Sequence, residues 1–143
     1  GDSRTWDYEI YLPPYMSGSP PPARPTGLAM LNASFTDPDG TPVLFRPSGS
    51  PVQGFSVGTP GGGPPGPDAF DFKLTRVALV APGSTTHHSD MHQRYIDCLV
   101  TSPGTSMVQF TAPSEAQAPR GYYMLFVLTS LGIPSEAIWV RLE

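Results

Sequence analysis

All three histidines of the 143-residue chain fall in one segment, Thr86-His87-His88-Ser89-Asp90-Met91-His92-Gln93-Arg94. Imidazole is the commonest metal-binding side chain, so the spacing within this segment decides what it could do. On a helix, His88 and His92 would share a face as the two ligands of a zinc protease do. That chemistry needs a glutamate directly after the first histidine, and Ser89 stands there. On an extended strand, the two-residue period puts His88, Asp90 and His92 on one side and His87, Ser89 and Met91 on the other, so a metal could meet either set. A solvated histidine-rich turn is the plainer account of the same residues, and spacing alone leaves all of these open.

Other reactive side chains have simpler readings. Cys98 is the single cysteine, so no disulfide forms within the chain, although it could pair with another chain. Its neighbours are apolar and strand-like, which suits a small core residue better than a nucleophile. No Gly-x-Ser-x-Gly elbow occurs. Asp37 and Asp39 bracket Pro38 ahead of Gly40, a pattern that makes turns rather than a glycosidase or calcium pair. Asn32-Ala33-Ser34 fits the N-glycosylation pattern, which makes Asn32 a candidate attachment site in an exposed loop of a secreted protein. Trp6, Tyr11 and Tyr15 are candidate carbohydrate contacts, with half-buried strand positions as their ordinary alternative.

Composition narrows the partners. Lys+Arg 8 against Asp+Glu 12 gives a net charge of -4, and the cations are scattered, so nucleic acid and anionic membranes are not expected. The longest apolar run, 122–128, is far short of a membrane span, so no transmembrane segment is expected. Neither an initiator Met nor a hydrophobic signal core opens the chain at Gly1, which points to a processed product or a piece of something longer.

Gly 15 and Pro 19 together are about twice the ordinary share of those residues. Prolines interrupt helices, and the longest interval without one, 83–102, begins and ends in strand or turn formers. One all-β domain over residues 1–143 is therefore expected. Strands are predicted at 8–12, 28–35, 52–57, within 70–80, at 95–100, 107–110 and 122–128, and over the alternating Ile138-Trp139-Val140-Arg141-Leu142, which closes the chain as a hairpin. Residues 77–80 are apolar at every position, as where both faces are covered. Residues 58–67 carry almost no apolar side chain and read as an exposed Gly/Pro-rich loop; neither collagen repeats nor a phosphate-loop signature fits them. Seven or eight short strands between Gly/Pro turns argue for an immunoglobulin-like β-sandwich, without the Cys, Trp, Cys spacing of antibody domains.

Six stretches stand in order along the chain: Tyr8-Glu9-Ile10 leading to Pro13-Pro14-Tyr15, Arg24-Pro25, Thr86-His87 through Gln93-Arg94-Tyr95, Pro119-Arg120-Gly121-Tyr122-Tyr123-Met124-Leu125-Phe126-Val127, Gly132-Ile133-Pro134-Ser135 and Ala137-Ile138-Trp139-Val140. Together they resemble the C-terminal early-set, immunoglobulin-like domain of the galactose oxidase and glyoxal oxidase family. In that family an upstream seven-bladed propeller supplies a tyrosine cross-linked to cysteine and further copper ligands, and this domain reaches in with one histidine. The resemblance assigns that role to His87 and not to His88 or His92. At position 92 the family usually has an acidic residue, so His92 is a departure.

Two functions follow as expectations. The first is a non-catalytic extracellular or cell-surface module that engages a larger protein assembly, with no cofactor in the isolated chain. The alternative is the C-terminal piece of a copper radical oxidase, acting on aldehydes or primary alcohols with O2 to give H2O2. There an N-terminal propeller is the partner and His87 is a copper ligand. The resemblance implies that the chain alone lacks the cross-linked tyrosine and the other ligands such an enzyme needs.

Overall fold

The computed structural model describes residues 13–14, 24–46, 54–59, 73–90 and 93–143. The expected strand at 8–12, the carbohydrate candidates Trp6, Tyr11 and Tyr15, His92 and residues 60–67 of the loop lie outside them. Gly58 does not belong to that loop: it is buried and ends a strand.

Eleven strands are present among the described residues: β1 Ala29–Met30, β2 Phe35–Thr36, β3 Pro42–Leu44, β4 Gly54–Gly58, β5 Leu74–Val80, β6 Thr85–Thr86, β7 Ser89–Asp90, β8 Tyr95–Ser102, β9 Met107–Thr111, β10 Gly121–Thr129 and β11 Ile138–Leu142. Nine of them form one curled sheet in the order β1-β4-β9-β8-β5-β10-β11-β3-β2, and β6 pairs with β7 alone. The curl turns on β8. Its first half pairs with β5, from Tyr95↔Val80 to Cys98↔Val77, and its second half pairs with β9, from Leu99↔Thr111. One strand thus belongs to both layers, and the result is an all-β, immunoglobulin-like early-set sandwich.

Alternation on each strand builds the core between the layers. Phe55, Val57, Val108 and Phe110 come from one side, and Leu74, Val77, Leu79, Leu125, Val127, Val140 and Leu142 from the other; all are at most 1% exposed. Phe55 and Phe110 meet across β4 and β9 with ring centroids 6.1 Å apart. Val77, Ala78 and Leu79 are buried, as the continuous apolar run of a central strand requires. A register shift at Leu128/Thr129 sets Thr129 against Leu74, so both Leu74 and Val77 reach the core despite their odd spacing. Cys98 is buried in the same cluster. Tyr123 is 4% exposed, and its hydroxyl donates to the Pro119 carbonyl four residues upstream at 2.8 Å, an arrangement like the tyrosine corner of immunoglobulin-type sandwiches.

Two expectations about strands need correction. Residues 28–35 are not one strand. β1 pairs with β4, while β2 pairs with β3 on the opposite edge of the curled sheet. Between them the Asn32 amide takes the place of a strand rung: its Oδ1 accepts from Ser56 N at 2.5 Å and its Nδ2 donates to the Gly54 carbonyl at 3.4 Å. The second correction is β3, which begins on Pro42 and pairs with β11 in parallel, Arg141↔Val43 and Leu142↔Leu44. Asp37-Pro38-Asp39-Gly40 forms the turn between β2 and β3, with Gly40 at φ 88° and its N–H donating to the Asp37 carbonyl at 2.9 Å.

Candidate metal-ligand site

His87 stands at one end of the sandwich, on an extension of the β5–β8 pair. The ladder continues past Val80↔Tyr95 with Ala81 N–H donating to the Arg94 carbonyl at 2.9 Å. Beyond Pro82-Gly83-Ser84 the chain turns back on itself as β6 and β7, with Thr85↔Asp90 and Thr86↔Ser89. His87 and His88 are the two residues between these strands, at φ 52° and 61°. Positive φ at both central positions is the geometry of a type I′ hairpin turn. Both histidines are exposed.

The hairpin base is held by a carboxylate. Asp90 Oδ1 accepts from Ser84 N at 3.0 Å. A Cβ at Gly83 would lie 2.8 Å from Asp90 Oδ2, so glycine leaves the space this carboxylate occupies. Neither role was legible in the sequence; a glycine and an aspartate flanking a short polar hairpin were the only signals. The extended reading that grouped His88, Asp90 and His92 does not hold through His88, because the chain reverses there. Asp90 instead closes the hairpin.

At the tip, His87 Nδ1 lies 2.8 Å from Thr86 Oγ1. When Nδ1 carries the proton and donates to that oxygen, Nε2 presents its lone pair outward, the usual division of labour in a metal-binding imidazole. None of the described residues engages Nε2. Among the described residues no group of three His, Cys, Asp or Glu gathers to hold a metal. The residues present therefore fit copper as one exposed nitrogen ligand, with the remaining donors coming from outside this group of residues.

Beside the hairpin base lies an open groove lined by Gly83, Gln93, Arg94, Arg120, Tyr122 and neighbouring backbone. Arg94 Nη1 donates to the Gln117 carbonyl at 3.2 Å, and Arg120 pairs with Glu115 at 3.2 Å. Arg46 Nη1 donates to the carbonyls of Pro113 and Ala118 at 2.9 and 2.8 Å, pinning the loop that leads into Pro119 and Arg120 of the groove. Burial lowers the pKa of the Arg46 guanidinium from its ordinary value.

Cys98 has no part in this site. Burial, with Asp97 adding to it, pushes its thiol up to about 12, which makes it inert. Asn32 is exposed, but the nitrogen to which a glycan would attach donates to Gly54.

Among the described residues, some of the segments that carry the resemblance meet in pairs. Arg24 Nε and Nη2 donate to the carbonyls of Pro134 and Ser135 at 3.0 and 2.7 Å, and Gln93 and Arg94 share the groove wall with residues 119–123. The family described as "Galactose oxidase-like, Early set domain" matches residues 63–142, more than half of the chain. The chain belongs to this family. A galactose oxidase of Gibberella zeae is 38% identical over 72 residues, 50% of this chain and 11% of that protein. The protein of Artemisia annua named "Putative aldehyde oxidase Art an 7" is 41% identical over 69 residues, 48% of this chain and 11% of that protein. The early-set chain thus corresponds to a small part of these relatives. No helix among its described residues is long and apolar enough to cross a membrane.

Proposed function

We propose that this chain is the early-set unit of a copper radical oxidase-type protein and that its direct contribution to chemistry is the His87 imidazole. The observation that carries this reading is the presentation of His87: a turn with two left-handed residues lifts the ring off the sandwich, and Thr86 fixes Nδ1 while Nε2 is left exposed. A residue that supplied stability alone would have no need of this backbone strain, which costs of order 1–3 kcal/mol at a non-glycine residue. Membership of the galactose oxidase-like early-set family over residues 63–142, a span that contains His87, supports the copper assignment. Copper, when bound, would supply Lewis acidity and one-electron chemistry toward an alcohol or aldehyde. The chain's part is to place one nitrogen, and an upstream propeller would bring the other ligands and the redox tyrosine. An extracellular or cell-surface setting goes with this reading and with the sequon at Asn32.

The other reading is a non-catalytic interaction module. What favours it is that no group of three His, Cys, Asp or Glu gathers among the described residues. The native gene product separates the two. It can be isolated with an antibody raised against this chain, weighed intact, loaded with copper and assayed for H2O2 release from primary alcohols and aldehydes. The oxidase reading expects a product much heavier than this chain, with His87→Ala losing both copper occupancy and H2O2 release. A product of the chain's own mass, or copper occupancy and turnover unchanged in His87→Ala, overturns it and leaves the module.

A further inference from the structure

The outward face of β10 and β11 carries two half-exposed rings, Tyr122 at 45% and Trp139 at 49%. Tyr122 pairs with Arg141 and Met124 with Trp139, so the rings occupy diagonal positions on adjacent strands, about 7–8 Å apart at the backbone. Beyond Arg141 the row enters Val43, which is fully buried, so Phe35 on the next strand, 49% exposed, is not continuous with the two rings.

Polar groups stand in the middle of this aromatic surface. Asp37 reaches over from the β2–β3 turn, its Oδ2 3.0 Å from Arg141 Nη1 and 3.5 Å from the Tyr122 hydroxyl. Arg141 Nε lies 3.4 Å from Glu143 Oε2 but makes no directed hydrogen bond. The guanidinium is thus held in place by two carboxylates, with Nε buried and Nη1 turned to Asp37, and the Tyr122 hydroxyl stands beside it.

This combination discriminates among ligands. An anion gains little, because Asp37 and Glu143 flank the one cation. A dry, apolar protein surface would have to cover the exposed part of Arg141, whose side chain is 27% exposed, and the Tyr122 hydroxyl, which opposes docking. A neutral sugar ring meets neither obstacle: its C–H face lies on an aromatic ring, and its hydroxyls meet the exposed part of the Arg141 side chain and the Tyr122 hydroxyl in place of water. We propose that Tyr122, Trp139 and Arg141 form a binding site for a neutral saccharide, with Asp37 as a positioning residue that holds Arg141. The site is independent of His87 and of any copper.

The test uses the 143-residue chain. Retention is measured on cellulose, chitin and galactomannan, and on ribonuclease B against its glycan-free form, ribonuclease A. Retention on one of the polysaccharides identifies a polysaccharide source, and retention on ribonuclease B but not A identifies a protein-linked glycan. Trp139→Ala and Tyr122→Ala are each expected to weaken binding about tenfold, with Trp139→Phe recovering most of it and Leu99→Ala, at an exposed position on β8, binding like the unaltered chain. Because Trp139 is half exposed, a thermal melt close to that of the unaltered chain is expected to accompany the loss. In parallel, the indole N–H resonance of Trp139, assigned by its absence in Trp139→Phe, should shift on titration with the retained sugar. No retention on any of the probes, equal retention on ribonuclease A and B with none on the polysaccharides, or binding unaffected by Trp139→Ala overturns the proposal.

Discussion

Arg24 and Ser135 are 111 residues apart in the chain, yet the Arg24 guanidinium donates to the Ser135 carbonyl at 2.7 Å and to the Pro134 carbonyl at 3.0 Å. Ser135 is fully buried, and its hydroxyl accepts from Val127 N at 3.0 Å. The Ser135 N–H in turn donates to the Val127 carbonyl at 2.8 Å. One arginine thereby ties the segment before β1 to the loop between β10 and β11. Glu136 N–H completes the seam on the Pro25 carbonyl at 3.3 Å.

Removing this fork should be felt in global stability. Hydrogen bonds from a charged donor contribute about 1.5–3 kcal/mol each, so Arg24→Ala is expected to lower unfolding free energy by about 3 kcal/mol in urea titrations. Arg24→Lys should recover less than half, because an ammonium cannot address two carbonyls as the fork does. Equal stability of Arg24→Ala and the unaltered chain would mean that the seam is decorative.

Gly58 gives a second, steric prediction. It pairs with Ala29 on one side and Met107 on the other. An added Cβ would collide with the Ser106 carbonyl oxygen and lie 2.8 Å from the Met107 Cα. These are backbone atoms, so the clash cannot be relieved by a rotamer change. Gly58→Ala should therefore cost about 3 kcal/mol. Gly54→Ala in the same strand meets nothing within 4 Å and should change stability little. A matched pair of thermal melts decides it.

The sequence was most legible where a signal was local. Residues 122–128 and the alternation of 138–142 read directly as the hairpin of β10 and β11, and Asp37-Pro38-Asp39-Gly40 read as the turn that it is. β3 was illegible because its first residue is Pro42 and its main partner, β11, lies about a hundred residues downstream in parallel register. No short-range pattern encodes that pairing. The break inside 28–35 was hidden for another reason: Asn32 substitutes its side-chain amide for a backbone rung, and hydrophobic alternation does not report such a replacement. At the candidate site, the histidine cluster announced itself, but its conformation did not. Turns with positive φ at both centres favour Asn and Gly, and nothing in His87-His88 signals them. His87 was singled out by family resemblance, not by spacing.

Cys98 carries a pH prediction whose direction follows from its burial. The folded thiol is pushed up to about 12 from an ordinary 9.0. Once pH exceeds 9.0, the unfolded chain ionises its thiol while the folded chain does not. The contribution of the neutral buried thiol is therefore fully present below 9.0 and is lost as pH rises toward 12. Unfolding free energy should fall over that window, and the fall should be shallower in Cys98→Val. At neutral pH a thiol-specific disulfide reagent should label native Cys98 far more slowly than the urea-unfolded chain. Rapid native labelling would contradict the burial.

The His87-His88 turn offers a way to separate the ring from the backbone that presents it. Left-handed backbone costs a residue with a Cβ about 1–2 kcal/mol, and a β-branched side chain more. His88→Gly removes that strain and keeps His87, so the Ser89 amide, on the β7 side of the turn, should exchange more slowly. His88→Val should break the turn and speed exchange there. Neither variant should move the global melting temperature by more than about 2 °C, because an exposed hairpin of two residues per strand contributes little to the core. Copper occupancy in the full gene product should then follow the turn: retained in His88→Gly, reduced in His88→Val although His87 is present in both. Equal occupancy in the two variants would show that His87 binds without the hairpin geometry and would leave its strained backbone without a role in metal binding.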